Sequence, residues 1–472
     1  MKIILAIQSK ETKILRFPKI LFLFVCLFSF HACLYNPIVQ SILCPDKDPS
    51  SSKSLLALWA LLASSNSVVE LNHTWAGIYK GDSLQLEAQY YLYGNKTDTT
   101  FQWTSSNDSV ATVSPTGLVQ SVGNGKILIT ATSGDGRARA TSTITVYSGY
   151  VYASLDNMNT VGFLTMNNTT GALTSFATYS TGASTGPTGI GVDPFGKFLF
   201  TGNFNSGTIS QFLINQTTGA LASNSPVSVT AGTNPRNLVI TPDGKYLYLI
   251  AEGTQNIEAY SINSNGTLSF INSYTSIIGQ AQIQISRSGK FILLMNGSFN
   301  AIVAYQVNPI DGSLSLAATS PSFTNGGTGY IATHPNGSFL YVGSFPAVTV
   351  LSFDDNSGFM TIVESVPQTM LSNGAAIHPN GRFYYVMNLN NETISCYGID
   401  PNTGKTSFLT SISGFTGSSL RYMIIDPTGR FAYVADNNTN FMLQFSINQT
   451  TGELTSMGTV DVGGHQWNLT FL

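Results

Sequence analysis

The sequence predicts an all-β chain, a seven-bladed β-propeller preceded by a β-sandwich. Two observations lead to that class. A unit of short apolar strands recurs about every 44 to 48 residues from Tyr150 to the C-terminus. Each unit also carries two Gly-containing hairpin turns at fixed places. Hydrophobic residues at 43%, aromatics at 11% and charged residues at only 10% suit strands buried on both faces.

The N-terminus reads as an export signal over residues 1–32. Lys2, Lys10, Lys13, Arg16 and Lys19 precede the apolar run Ile20 to Phe30. Eleven residues are too few to span a bilayer and fit a signal-peptide core. Residues 33–67 read as a tether. Cys44-Pro45-Asp46-Lys47-Asp48-Pro49 and the serines after it break regular structure, and Leu55 to Ala63 is a short apolar run, either a helix against lipid or protein or a segment without a role.

Residues 68–147 alternate in strand fashion at Ser83 to Ala88, Phe101 to Trp103, Lys126 to Ala131 and Ser142 to Val146. This is a sandwich pattern with Trp103 as its expected core aromatic. Only Ser148 and Gly149 then separate the sandwich from residues 150–472.

The repeats follow. Their first turns are Asp193-Pro194-Phe195-Gly196, Thr241-Pro242-Asp243-Gly244, Ser286-Arg287-Ser288-Gly289, His334-Pro335-Asn336-Gly337, His378-Pro379-Asn380-Gly381 and Asp426-Pro427-Thr428-Gly429. An aromatic-rich strand follows each one. The second turns are Thr170-Gly171, Thr218-Gly219, Asn265-Gly266, Asp311-Gly312, Ser357-Gly358, Thr403-Gly404 and Thr451-Gly452. Two hairpins make a four-stranded sheet, and one such sheet cannot bury both faces alone, so the sheets stack radially. Seven second turns against six first turns place the ring's cut inside blade 1. Trp467 to Leu472 is expected to supply that blade's inner strand, in preference to Thr141 to Val146, because an apolar terminal strand left unpaired is an exposed edge.

The strands Phe198 to Asn203 and Phe383 to Asn388, with Asp-Pro-x-Gly-Lys before and Thr-Gly-x-Leu-Thr after, resemble the lactonase-type seven-bladed propellers and the related YVTN repeats. Trp103 to Val113 with Gly117-Leu118-Val119 resembles the bacterial Ig-like group 2 domains, which imply a stalk or an adhesive module. Ser29-Phe30-His31-Ala32-Cys33 resembles a bacterial lipobox of the looser spirochaetal kind. That resemblance implies a lipid on Cys33 and an exported, outer-membrane lipoprotein.

Charge excludes one class of partner. The formal charge is -3, and it falls to about -7 without residues 1–32, so no basic stripe exists to neutralise phosphates and nucleic acid is not expected. No metal site, cofactor loop or nucleophile elbow is present. Cys33, Cys44 and Cys396 give no disulfide framework. Of the histidines, His334 and His378 open turns and read as structural.

Aligning the repeats puts Thr188, Arg236, Ala281, Gly329, Asn373, Arg421 and Trp467 at one mouth of the central channel. Asp156 and Glu252, with Asp436 one place earlier, end the second strands, and His465 lies near the same mouth. Arginines bind carboxylate or phosphate bidentately, so Arg236 and Arg421 suit an acidic ligand, while ion pairs between blades are the competing reading. The lactonase resemblance assigns Arg236 and Glu252 to an Arg and a Glu of that family's site, with Glu252 as base and Arg236 stabilising the oxyanion. It also implies histidines where this chain has Asn237 and the run Gly186-Pro187-Thr188-Gly189. Three functions follow, in this order: an envelope-anchored binding protein for a protein, glycan or acidic small molecule, then a lactone hydrolase of the 6-phosphogluconolactonase-like kind, and then a purely structural envelope component.

Overall fold

The first residue of each tetrad is an acceptor, and that role decides its chemistry. The Asp193 carboxylate accepts the backbone N–H groups of Phe195, Lys197 and Phe198 at 3.1, 2.6 and 2.6 Å. Thr241 and Ser286 accept the equivalent N–H from Tyr246 and Phe291. In His334 and His378 the Nδ1 atom accepts from Asn336 and Asn380, each at 3.2 Å. The fourth position is Gly with φ between 68° and 80°, a conformation that strains any residue with a Cβ.

The computed structural model describes residues 67–275, 282–296, 300–323, 330–343, 347–367, 372–388, 392–415 and 419–472. The signal segment, Cys33, Cys44, the tether up to residue 66 with its apolar run, Ala281 and Gly329 lie outside the described residues. Contacts divide the chain into two compact units. The first holds, of the described residues, 67–70, 88–102 and 131–140; the second holds 71–87, 103–130 and the rest from Thr141 to Leu472.

Seven four-stranded antiparallel sheets make the blades of the second unit. Blade 2 shows the order: Pro187–Val192 innermost, then Phe198–Asn203, Thr208–Ile214 and Leu221–Thr230 outermost. Blade 1 is closed by the C-terminal strand Gln466–Phe471, which pairs antiparallel with Tyr150–Leu155. Arg139–Tyr147 instead pairs parallel with Trp75–Tyr79 in a different sheet. The ring is therefore sealed by residues more than 300 positions apart.

Seams between blades explain why the two halves of the repeat recur together. A Cβ on the second-turn glycine of each blade would lie within 3 Å of the first aromatic ring in the preceding blade's second strand, from Gly171 on Phe431 round to Gly452 on Phe383. In five seams a tyrosine two residues beyond that ring donates to the same glycine's carbonyl: Tyr152 to Gly219, Tyr248 to Gly312, Tyr341 to Gly404, Tyr385 to Gly452 and Tyr433 to Gly171, at 2.7 to 2.8 Å. The histidines form a further latch. With Nδ1 accepting, Nε2–H of His334 donates to Gly381 O at 2.9 Å and that of His378 to Gly429 O at 2.8 Å.

In the sandwich region, Ile78, Leu86, Val110, Val119, Ile127, Ile129, Ile144 and Val146 form a buried cluster, and Trp103 packs against it half-buried. Phe195 of the blade 2 tetrad joins that cluster. The Trp75 ring meets His378 edge-on at 6.2 Å, and Gly77 admits the backbone of Pro427 where a Cβ would not fit. All these contacts lie within the second unit and involve tetrads, at the opposite ends of the strands from the channel mouth that carries the arginines.

Candidate functional site at the channel mouth

A bulge at the start of the inner strands creates the site. Pairing with the second strand skips Thr188 in blade 2, Arg236 and Asn237 in blade 3, Asn373 in blade 6 and Arg421 in blade 7. In blade 1 it skips Trp467 and Asn468. A bulge bends the strand and re-aims the unpaired residue, so blades 1, 2, 3 and 7 each deliver one or two residues to the channel mouth. Glycines in the preceding blades make room: a Cβ on Gly189 would lie 2.2 Å from Arg236 O, and one on Gly374 2.4 Å from Arg421 O.

Around that rim the backbone is tied from blade to blade. Ser154 donates to Thr188 O at 2.7 Å, and the Thr188 hydroxyl lies 3.1 Å from both Pro235 O and Arg236 O. Asn468 Nδ2 donates to Asn237 Oδ1 at 3.0 Å. Asn237, which stands where the lactonase resemblance implies a histidine, is thus part of a fixed polar rim.

Arg236 and Glu252 meet. Nε of Arg236 is 2.6 Å from Oε2 of Glu252, with about a quarter of each side chain exposed. The contact is an ion pair and not a linear hydrogen bond, since the buried Nε–H finds no acceptor along its axis. Glu252 is placed by its own backbone: its N–H donates to Asn234 O, and Asn234 holds the left-handed φ of 56° that turns the chain into the inner strand. Phe204 occupies the same position in blade 2, where its N–H donates to Gly186 O.

Trp467 gathers both arginines. The guanidinium carbon of Arg236 lies 5.0 Å from its indole and 5.0 Å from the Phe204 ring, while that of Arg421 lies 4.4 Å from the indole. Such contacts contribute about 0.5 to 2 kcal/mol each, more as water is removed. The indole N–H donates to Asp156 Oδ2 at 2.5 Å, which fixes the ring plane. Burial raises the phenol of Tyr330 in blade 5 above the ordinary range, while the charges of the nearby Arg421 and Arg236 act in the opposite direction.

The sequence-predicted residues therefore separate into two groups. Arg236, Glu252, Arg421 and Asp156 converge on Trp467. Asp436 is buried and holds its loop, accepting from Ser419 N, Asn438 N and the Thr439 hydroxyl at 2.8, 2.9 and 2.7 Å. His465 is half-buried, and its backbone N–H donates to Asn157 Oδ1. Phe204 and Tyr330 were missed; an aromatic where the other blades carry Asp156 and Glu252 is the signal that points to Phe204.

With the site described, comparison with known proteins is informative. A curated 6-phosphogluconolactonase of an Enterobacter species is 25% identical over 175 residues, 36% of this chain. The chain spans about half the length of that relative, 52%. The solved structure of a periplasmic gluconolactonase from Pseudomonas aeruginosa superposes with a TM-score of 0.60 at 16% identity, covering 68% of this chain and 98% of that one. A protein from Lactobacillus plantarum gives 0.59 at 16% identity over 69% and 99%. These likenesses at low identity establish the fold. The group 2 bacterial Ig-like profile matches residues 68–144. The profile of the seven-bladed β-propeller lactonases matches 126–226, 222–368 and 324–469, most of the chain, and the protein belongs to that family.

Proposed function

We propose that this protein is a lactone hydrolase whose reaction takes place at the channel mouth around Arg236 and Glu252. The observation that carries the reading is their ion pair at 2.6 Å beside the Trp467 platform. Glu252 takes a proton from a water molecule as its oxygen attacks the lactone carbonyl. Arg236 stabilises the oxyanion that forms. Collapse breaks the bond between the acyl carbon and the ring oxygen, the proton passes from Glu252 to the leaving alkoxide, and a hydroxy acid is released.

The sequence alone ranked an adhesive, lipid-anchored binding protein first and hydrolysis second. That order is reversed here. The curated relative and the gluconolactonase neighbour support the hydrolase, and nothing comparable supports adhesion. Export and lipidation at Cys33 complete the proposal as a matter of location.

The test is turnover. The purified protein is assayed against glucono-δ-lactone, 6-phosphogluconolactone and simpler γ- and δ-lactones, each corrected for spontaneous opening. We expect acceleration on at least one sugar lactone; rates equal to background across the panel would remove the hydrolase reading.

A further inference from the structure

The tetrad end of the channel is where the sandwich sits, and the placing of its contacts around the ring has a consequence for ligands. Strands Trp75–Tyr79, Arg139–Tyr147 and Gly125–Ser133 are neighbours in one sandwich sheet. Ala76, Ile78, Ile127, Ile129, Ile144 and Val146 belong to the sandwich's apolar cluster. By strand alternation Trp75, Gly77, Lys126 and Thr143 therefore lie on the sheet's other face.

Contacts reach the tetrads of four blades, all through residues of the second unit. In blade 4, Arg287 Nη2 donates to Thr143 Oγ1 at 2.7 Å, and in blade 6 the His378 ring meets Trp75. In blade 7 the backbone of Pro427 fills the space that a Cβ on Gly77 would need. In blade 2, Phe195 packs against the sandwich cluster, and a Cβ on Gly196 would lie 3.1 Å from Asn124 Nδ2, just ahead of Gly125.

Blades 2 and 6 are three steps apart in the ring of seven, as are blades 4 and 7, and no two blades stand further apart. A line from blade 2 to blade 6 must cross a line from blade 4 to blade 7, because blade 4 lies on one side of the first line and blade 7 on the other. One sheet can hold both pairs of contacts only by lying across that crossing, near the ring's axis. Lys126 reports what lies beneath. Its side chain is exposed, yet its pKa is lowered, first by desolvation and then by the charge of Arg287. Accessible surface combined with desolvation marks a water-filled recess walled by protein.

We infer that this sheet face is the floor of the propeller's channel, closing its tetrad end and making it a blind vestibule entered only at the arginine mouth, with Lys126 at the closed end. The Ig-like resemblance implies a stalk, and the same sandwich then also serves as a stopper. Whatever enters at Arg236 and Arg421 leaves by the same opening. The inference is independent of the reaction carried out there.

Reagents of two sizes test it. Lys126→Cys is made in the full-length protein, with Val227→Cys, 62% exposed on the outer strand of blade 2, as the open control. Modification at each site is followed by peptide mass spectrometry. A small methanethiosulfonate should modify both cysteines. A maleimide on a long polyethylene glycol chain should modify the control freely and Lys126→Cys about 100-fold more slowly or less, since it needs the sandwich to lift away. Adding Trp75→Ala and Arg287→Ala should bring that slow rate toward the control's while the small reagent's rate is unchanged. Equal rates for the large reagent at both sites overturn the inference, because the tetrad end is then open. A Lys126→Cys that neither reagent modifies also overturns it, as does a large-reagent rate indifferent to the loss of the two contacts.

Discussion

At the scale of single residues, the molecule reuses a few side chains as connectors. Tyr341 is fully buried, and its hydroxyl donates to Gly404 O across the seam between blades 5 and 6 at 2.7 Å. The corresponding positions in blades 2 and 4 are Phe200 and Leu293, so the fold accepts an apolar residue there. Tyr341→Phe keeps the ring and leaves a buried carbonyl without its donor. It should lower the unfolding free energy by about 1 to 3 kcal/mol in denaturant titration, while the same change at a solvated tyrosine should cost almost nothing. Reading the sequence found the aromatic and the glycine of each repeat, because each is locally marked. Their partnership across the seam was not legible, since it joins Tyr341 to a glycine 63 positions away.

At the scale of elements, the tetrad turns set the response to acid. His334 and His378 have pKa values lowered from 6.5, chiefly by burial, and both donate through Nε2 to a carbonyl in the next blade. A depressed histidine pKa favours the neutral ring in the folded state. Its stabilisation is complete above the unfolded value near 6.5 and is lost as pH falls toward the folded value. Asp193 and Asp426 are raised from 3.8 by burial and act in the opposite sense, gaining relative stability as pH falls through their folded values. Stability should therefore decline as pH drops below about 6.5. A variant carrying His334→Asn and His378→Asn should show a flatter profile between pH 7 and 5 in thermal unfolding. Equal slopes for both proteins would contradict the histidine account. The tetrads were read directly from sequence, whereas the bulges were not. They arise where the inner strand yields its pairing to the channel, and no composition marks them except Gly189 and Gly374, whose reason appears only beside the neighbouring backbone.

At the scale of the whole molecule, ring closure brings the site together. Arg236 of blade 3 and Arg421 of blade 7 are far apart in sequence, and Trp467, carried by the strand that seals blade 1, meets both. The sequence placed all three at one mouth but did not reveal that a single indole joins them, because that depends on how far long side chains reach across the channel. Closure thus builds the fold and completes the platform behind the Arg236–Glu252 pair. The most direct test of the hydrolase reading is the rate of lactone opening by Glu252→Gln compared with wild type, at matched folding and on the best lactone found. The account predicts a loss of about 10²- to 10⁴-fold from removing the base. A Glu252→Gln protein that opens the lactone at the wild-type rate would contradict it.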